Sequence, residues 1–492
     1  MRGFLSMSGK SAFALVSPER ASTLIAATRT DGLGGRLLAM ANAKALADTL
    51  GYRFGFTWNR RVAADKAFHI VDTADRIFSP DFIARHWLGE SVKASDFGVL
   101  DAAAAGGPSL GEAAKDRKLR GWICNEIDVP RGDAARVAKQ AVALRSFDYS
   151  ATVKEAIAAA GRSRLARPMA ALHLRSGDIV HGKHRASLIF AGKVIPSTLA
   201  RAIIAALSAR GLTTLLIGQH RPTLDYLKAE TGAMLTSDFG ADAFSDETRK
   251  AFFEMALMAR CRQIYAGTSI FPEIASLMGD VPLMRTDTLF DAPCAAKIIL
   301  HELSLRQADY HPREAAFGYQ AAFLATEGLV AAKQARELLD KAYALDPEND
   351  AYALKIASAC FRERDYASGE VVLKSVMTRR FGERPRIPLT VMRLLGDMLF
   401  RRYPFAGDFE FFHAAAEAGH PYAAACSAWI LQQTTADRTR ALAMAHRAVA
   451  LSPADPILRK IKRRVLQGKR PTSGLVAKAR WRIAWLRGFG TT

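Results

Sequence analysis

Short apolar runs alternate with longer amphipathic segments over about the first 300 residues. Most runs end at a polar or glycine-containing turn, and apolar residues at helical spacing follow. Strands that alternate repeatedly with helices indicate parallel sheets covered by helices. The sequence therefore predicts two doubly wound, Rossmann-like α/β domains, residues 1–165 and 166–305. The clearest strands are predicted at Thr23–Ala27, from Ala170 onward, at Thr213–Gly218 and at Gln263–Ala266.

Three helices of this α/β part bear on the candidate chemistry and its boundaries. The first is predicted over Leu37–Leu50 and ends at Gly51, a residue typical of helix C-termini. One continuous helix is predicted over Ala134–Ala160, before the basic linker Gly161–Pro168. Another is predicted over Glu273–Met278, directly after a turn that contains Thr and Ser.

Residues 306–458 are rich in alanine and predict only helices. The turns at Asp346-Pro347 and Ser452-Pro453 lie 106 residues apart, close to three periods of about 34 residues. The region resembles tetratricopeptide repeats, and Ala414–Pro421 resembles the related Sel1-type repeat. A plain helical appendage is the alternative. Helical repeats form extended surfaces, so a protein partner is expected here if the repeat interpretation holds.

The formal net charge of +21 predicts an anionic partner. Residues 459–492 carry eleven Lys or Arg and no Asp or Glu. Apolar residues from Val476 to Leu486 recur at helical spacing beside Trp485, which is typical of a helix that binds an anionic membrane surface. A helix that packs on the repeats and a solvated tail are the alternatives. Nucleic acid is not expected, because no recognition module is present.

The cysteine pattern and the hydropathy point to a cytoplasmic protein. The five cysteines are scattered, with no paired spacing, which favours a reducing compartment over a disulfide framework or a zinc site. No run of about twenty apolar residues predicts a transmembrane helix, and Ser11–Val16 is too short for a convincing signal peptide. We expect a cytoplasmic location, on the inner face of the membrane if the basic tail binds it.

Three turns hold the candidate chemistry. His173 and Arg175 share one face near the end of a predicted strand, where ligands bind in open α/β sheets, and the planar fork of an arginine suits a phosphate. The alternative is that Arg175 simply pairs with Asp178 across the turn. The glycine turn 32–35 precedes a helix whose N-terminus favours an anion. Thr268–Ser269 is a third anion site or, alternatively, an ordinary N-cap.

These three turns together resemble the motifs of the GDP-fucose-dependent fucosyltransferases, including the bacterial α-1,2 and α-1,6 types. Asp31-Gly-Leu-Gly-Gly-Arg36 resembles their opening glycine turn. His173-Leu-Arg-Ser-Gly-Asp178 resembles the His-x-Arg-Arg-(Gly/Thr)-Asp signature of their nucleotide domain. Phe253–Phe271 resembles their third motif, in which a helix and a strand deliver a serine turn to the nucleotide. The resemblance covers roughly residues 22–300.

The resemblance implies a GT-B fold, with the active site between the two α/β domains, and an inverting transfer that needs no metal or other cofactor. Arg175 would hold the β-phosphate of GDP and stabilise the charge that develops as the sugar leaves. The resemblance gives further expected substrate contacts at Gly32, Gly34, Arg36, His173, Asp178, Thr268 and Ser269. The sequence departs from the motifs where Ser176 replaces the second arginine and Gly35 replaces an asparagine.

The resemblance leaves the catalytic base open. Asp31, beside the glycine turn, is the first candidate, and His181 is the second. The function predicted is transfer of a sugar, fucose from GDP-fucose in the first place, to a glycan or polysaccharide acceptor. The alternative is a non-catalytic scaffold or binding protein in which the helical repeats act and the glycosyltransferase fold is degenerate.

Overall fold

The computed structural model describes residues 23–61, 71–100, 110–126, 133–165, 167–182, 184–382, 391–396, 407–434 and 438–468. Within this part, the chain forms two compact units. The first contains the described residues up to Glu155, and the second contains those from Ala156 onward. The prediction of parallel α/β sheets followed by an all-helical region is confirmed.

The first unit is built on a parallel sheet in the order β2-β1-β4-β3. Its strands are short and its core is aromatic, because rings from the strands, helices and loops pack against Phe78, which is fully buried. The elements are β1 (Leu24–Ala27), α1 (Leu33–Leu50), β2 (Arg53–Phe56), α2 (Ala74–Ile77), α3 (Pro80–His86), β3 (Phe97–Val99), α4 (Leu110–Asp116), β4 (Gly121–Ile123), α5 (Ala134–Arg145) and α6 (Ala151–Arg162).

The prediction of one continuous helix over Ala134–Ala160 is wrong, because the structure has two helices there, α5 and α6. Phe147 and Tyr149, between the two helices, pack their rings against Phe78, and Tyr149 forms an isolated bridge with it. Burial of these two aromatic rings outweighs the local helical preference, which is worth only a fraction of a kcal/mol per residue. The boundary between the two units lies within α6, about ten residues before the predicted one.

The second unit contains a parallel sheet in the order β7-β6-β5-β8-β9, with β5 at its centre. β5 is buried along its whole length, as expected for a strand covered by helices on both faces. The elements are β5 (Met169–Leu174), α7 (Ser197–Ser208), β6 (Thr213–Gly218), α8 (Arg221–Thr231), β7 (Met234–Leu235), α9 (Glu247–Met258), β8 (Gln263–Ala266), α10 (Ile270–Gly279), β9 (Leu283–Met284) and α11 (Ala292–Arg306).

The helical region follows directly and lies in the same compact unit as this sheet. Successive helices pack on one another, and the tetratricopeptide assignment stays a prediction. One hydrophobic core extends across the predicted boundary at residue 305, because it includes Leu172 of β5, Leu303, Phe323 and Ile356. The helices are α12 (Pro312–Thr326), α13 (Ala332–Leu345), α14 (Asp350–Arg362), α15 (Tyr366–Gly382), α16 (Val391–Gly396), α17 (Phe409–Glu417), α18 (Pro421–Thr434), α19 (Arg438–Leu451) and α20 (Pro456–Leu466).

The beginning of the predicted basic tail belongs to the helical region. Residues 459–466 form most of α20, which buries Leu458, Ile461 and Val465 in the same core as α18 and α19. This part follows the alternative in which the tail packs on the repeats. The predicted membrane-binding segment from Val476 onward lies outside the described residues.

One helical stretch in the described part, Leu188–Ser208, is long and apolar enough to cross a membrane by length and composition. Half of an apolar 18-residue segment within this stretch is buried inside the protein. Ile203 and Leu207 of α7 lie in the core under β5, which is the packing of an ordinary core helix.

Candidate active site

The order of the strands in the second sheet marks one edge as the place for a ligand. The chain leaves β5 toward β6 and β7 on one side, and it returns to β8 and β9 on the other. The carboxyl ends of β5 and β8 therefore form the topological switch point, where open α/β sheets bind ligands. Arg175 directly follows β5, and Ser269 follows β8 after a two-residue turn. Two of the predicted site residues are thus brought together by the topology.

Arg175 is held in place by its neighbours. Its Nη2 donates to Asp178 Oδ1 at 3.0 Å, and its Nη1 lies 3.5 Å from Ser269 Oγ. Its side chain is 20% exposed, while that of Asp178 is 5% exposed. The ion pair across the turn is therefore real. It leaves other N–H groups of the guanidinium unused, and Nε is buried with no hydrogen-bond partner among the described residues. Asp178 orients the arginine, which keeps donors for a further anion.

His173 lies near the end of β5, two residues before Arg175, and is buried against Phe271, with ring centroids 5.7 Å apart. Burial, with a smaller contribution from the Arg175 charge, lowers the pKa of His173 to about 3. The imidazole is therefore neutral at physiological pH. Within the described residues, its Nδ1 has no hydrogen-bond partner. Buried polar atoms without partners are uncommon in folded proteins, and His173 Nδ1 and Arg175 Nε are two such atoms at the end of β5.

Ser269 is the N-cap residue of α10, which begins three residues earlier than predicted. Its hydroxyl caps none of the helix amides, so the first-turn N–H groups and the positive end of the helix dipole are available to an anion. The turn is fixed from behind. Thr268 N donates to Gly192 O at 2.8 Å, and a Cβ on Gly267 would lie 2.5 Å from the backbone of Lys193. The Thr268 side chain is exposed, whereas Ser269 is buried.

In the first unit, the turn after β1 is held by an ion pair. Arg29 donates to both carboxylate oxygens of Asp31, and its Nη1 donates to Asn125 O at 3.1 Å. The helix α1 begins at Leu33, so Gly34 and Gly35 belong to its first turn and Gly32 is its N-cap. A Cβ on Gly35 would lie 2.5 Å from the Asp31 carboxylate. This close approach explains why glycine stands at a position where the resemblance expects asparagine.

Arg36 has a structural role in this turn. It is 2% exposed, and its guanidinium donates to the main-chain oxygens of Thr30, Asp31 and Asn59. It also stacks on Trp58, 5.0 Å from the ring centroid. Burial lowers its pKa to about 10, so it stays charged at neutral pH. The structure therefore corrects the expectation that Arg36 contacts substrate, because its donors hold the loop that carries Asp31.

His181, the second candidate for the base, is also engaged elsewhere. Its Nε2 lies 2.9 Å from Glu314 Oε1, and its ring stacks on His220 at 4.1 Å between centroids. His181 therefore pairs with a buried carboxylate, and its role as a base stays a prediction. Asp31 keeps that candidate role, although both of its oxygens already accept hydrogen bonds from Arg29.

Three polar residues that were not predicted as site residues lie beside the predicted ones in the structure. His184 Nε2 lies 3.7 Å from Asp178 Oδ2. In the first unit, Asn125 accepts a hydrogen bond from Thr28 N on its side-chain oxygen, and Arg29 pairs with Asp31. Arg29 could have been found from its position two residues before Asp31. Asn125 depends on β4, a strand that the sequence did not predict.

No protein-family model matches the sequence, and no curated protein sequence matches it. Three solved structures illustrate what the fold is similar to, and the chain spans nearly the whole of each. Fucosyltransferase NodZ from Bradyrhizobium is 15% identical, with a TM-score of 0.35 over 54% of this chain and 96% of its own. NodZ alpha-1,6-fucosyltransferase co-crystallised with GDP is 14% identical, with a TM-score of 0.36 over 54% and 96%. POFUT1 in complex with GDP-fucose is 10% identical, with a TM-score of 0.31 over 54% and 97%.

Proposed function

We propose that the chain is an inverting, metal-independent glycosyltransferase that moves fucose from GDP-fucose to a glycan or polysaccharide acceptor. The observation that supports this most is the arrangement at the switch point of the second sheet. There, a half-buried arginine with unused donors, a serine hydroxyl and a helix N-terminus converge. Each of these groups favours a phosphate, and together they suit a nucleoside diphosphate.

The proposed chemistry makes the phosphate the leaving group. The bond between the sugar's anomeric carbon and the β-phosphate oxygen breaks, and its electron pair stays on the phosphate. The Arg175 guanidinium stabilises the charge that develops there, and Ser269 donates its hydroxyl hydrogen to the same group. The acceptor hydroxyl bonds to the anomeric carbon from the opposite face and gives its proton to a base. Asp31 is the proposed base, and the Gly32–Gly34 turn offers main-chain amides to substrate.

His173 and Asp178 have positioning roles in this proposal. Neutral His173 packs against Phe271 beside Arg175 without adding charge, and Asp178 fixes the orientation of the Arg175 fork. The departure at Ser176 does not remove the proposed phosphate contact. Ser176 lines a small pocket together with Leu174 and Glu314.

The remaining parts of the proposal concern partners and location. The helical region would present a surface to a protein or glycan partner. The basic residues 459–492 would attach the enzyme to the anionic inner face of a membrane, so that the location would be cytoplasmic and peripheral. Equal pelleting with anionic liposomes of the full chain and a chain that ends at residue 468 would contradict the membrane attachment.

The experiment that tests the proposed function is a thermal-shift titration against GDP, UDP, CMP and ADP in EDTA. A ligand that binds only the folded chain raises the melting temperature by mass action. We expect selective stabilisation by GDP, followed by release of GDP from GDP-fucose when glycan acceptors are supplied. Selective stabilisation by another nucleotide would indicate that the donor is a sugar linked to that nucleotide instead of GDP-fucose. No response to any nucleotide would favour the alternative function, a non-catalytic scaffold. The substitution at Ser176 and the large helical region would be consistent with that alternative.

A further inference from the structure

Three elements bring four potential metal ligands together on the face of β5 that Arg175 does not use. His181 ends the turn of π-helix at Gly177–His181, and His220 immediately precedes α8. His311 and Glu314 lie at the start of α12, the first helix of the helical region. The His181, His220 and His311 rings contact one another, with centroids 4.1 to 5.4 Å apart.

The ligand atoms are close enough for one ion. One atom each from His181, His220 and Glu314 all lie within 4.8 Å of one another, and no other such group occurs in the described part of the chain. Tetrahedral Zn²⁺ with ligand bonds of about 2.0–2.1 Å separates its ligands by about 3.3 Å, so small side-chain movements suffice. Two imidazoles and a carboxylate are a ligand set that zinc accepts readily.

Neighbouring groups already orient these ligands. Glu314 Oε2 accepts a hydrogen bond from Ser197 Oγ at 2.9 Å, which leaves Oε1 toward His181. His220 Nδ1 lies 2.8 Å from Thr223 Oγ1. With the hydrogen on Nδ1 and donated to that hydroxyl, Nε2 keeps a lone pair for a metal. Hydrogen bonds of this kind to the second oxygen or nitrogen fix the ligands of natural zinc sites.

Burial gives a reason for a cation here. Glu314 is 2% exposed, its two oxygens lie against His181 and Ser197, and a bound cation would compensate the charge of this buried carboxylate. A small pocket of about 10 Å³ opens beside it, lined by Ser176, Ser197, His220 and Thr223 among others. We propose that His181, His220 and Glu314 bind one Zn²⁺, with His311 adjacent as a fourth ligand.

The site would connect two parts of the second unit. Asp178, which orients Arg175, lies in the same π-helical turn as His181. Arg313 Nη1 donates to His181 O at 2.8 Å, and Arg185 Nε donates to Asp346 Oδ2 at 3.1 Å, so α12 and the α13–α14 turn already hold this loop. Zn²⁺ would add metal–ligand bonds to this attachment. Its role is structural, and it does not take part in the proposed metal-independent transfer.

The test is a Zn²⁺ titration of the full-length chain after EDTA treatment and dialysis, by competition with a chromophoric chelator. We expect one equivalent to bind with a dissociation constant at or below about 1 μM, equivalent to about 8 kcal/mol. Co²⁺ should give the visible absorption of a tetrahedral site. Binding should weaken as pH falls below the imidazole range, because His must be neutral to coordinate.

Variants distinguish this site from other histidines. His220→Ala and Glu314→Gln should each weaken Zn²⁺ binding at least tenfold, whereas His301→Ala, at an exposed position of α11, should not change it. Melting curves in EDTA establish that each variant is folded. Wild-type chain that binds no Zn²⁺ in the micromolar range would overturn the proposal, whatever the variants do. So would wild-type affinity in folded His220→Ala.

Discussion

Replacing Arg175 by alanine is the most direct test of the phosphate site. The change removes the guanidinium that donates to Asp178 Oδ1 at 3.0 Å and lies 3.5 Å from Ser269 Oγ. A hydrogen bond from a charged donor contributes about 1.5–3 kcal/mol. Loss of one such bond to the β-phosphate should weaken GDP binding about 10- to 150-fold. Calorimetric titration in EDTA, well below the melting temperature, measures this directly.

The substitution also has a cost in stability that must be separated from binding. Without Arg175, the Asp178 carboxylate, whose side chain is only 5% exposed, loses a charged donor. We expect the free energy of unfolding to fall by about 1–3 kcal/mol. Arg221→Ala is the matched control, because Arg221 pairs with Asp225 and Asp242 on the surface of the same unit. Exposed pairs contribute about 0–1 kcal/mol, so neither GDP binding nor stability should change much.

Graded variants sharpen the result. Arg175→Lys keeps the charge but loses the planar fork, so its dissociation constant for GDP should lie between those of wild type and Arg175→Ala. Ser269→Ala removes a neutral donor, which is worth about 0.5–1.5 kcal/mol, or about a 2- to 10-fold loss of affinity. Wild-type affinity for GDP in folded Arg175→Ala would refute the assignment of the phosphate site.

Two further predictions concern residues that the structure buries. The pKa of His173 lies near 3 in the folded chain and near 6.5 when unfolded, so between these values only the unfolded chain binds the proton and stability falls as pH falls. Between pH 7 and 5 this contributes a loss of about 2 kcal/mol, which urea unfolding should show in wild type and not in His173→Gln. Arg36→Met should lower the free energy of unfolding by about 2–4 kcal/mol, because three main-chain oxygens lose their donor. An unchanged urea midpoint for Arg36→Met would contradict the structural role given to this residue.

The second sheet was largely predictable, because its strands are continuous apolar runs bounded by turns. β6 and β8 have the bounds that the sequence gives, and the position of Arg175 follows from the end of β5. The break at Phe147 was not predictable locally, since it depends on ring contacts with Phe78, more than sixty residues away in the chain. Tertiary packing decides such cases.

The candidate site was predictable by residue type and less so by role. The alternatives given for Arg175 turn out to be compatible, because one guanidinium pairs with Asp178 and retains donors for a ligand. Arg36 and His181 were given substrate or catalytic roles on resemblance and spacing alone. Arg36 donates to two main-chain oxygens of its own turn and to Asn59 O from a more distant segment, and Glu314, the partner of His181, lies 133 positions further along the chain. The two distant partners leave no local pattern in the sequence.

The core that joins the β5 sheet to the helical region has a thermodynamic consequence. Leu172, Phe323 and Ile356 share one buried cluster, so neither part can open without exposing apolar surface of the other. Residues that share a core open together in hydrogen exchange. Nucleotide bound at the end of β5 should therefore slow amide exchange in α12 and α14 as well as in the sheet. In this chain, binding of a small molecule at the end of β5 would be detected as slower amide exchange in helices that do not contact the ligand.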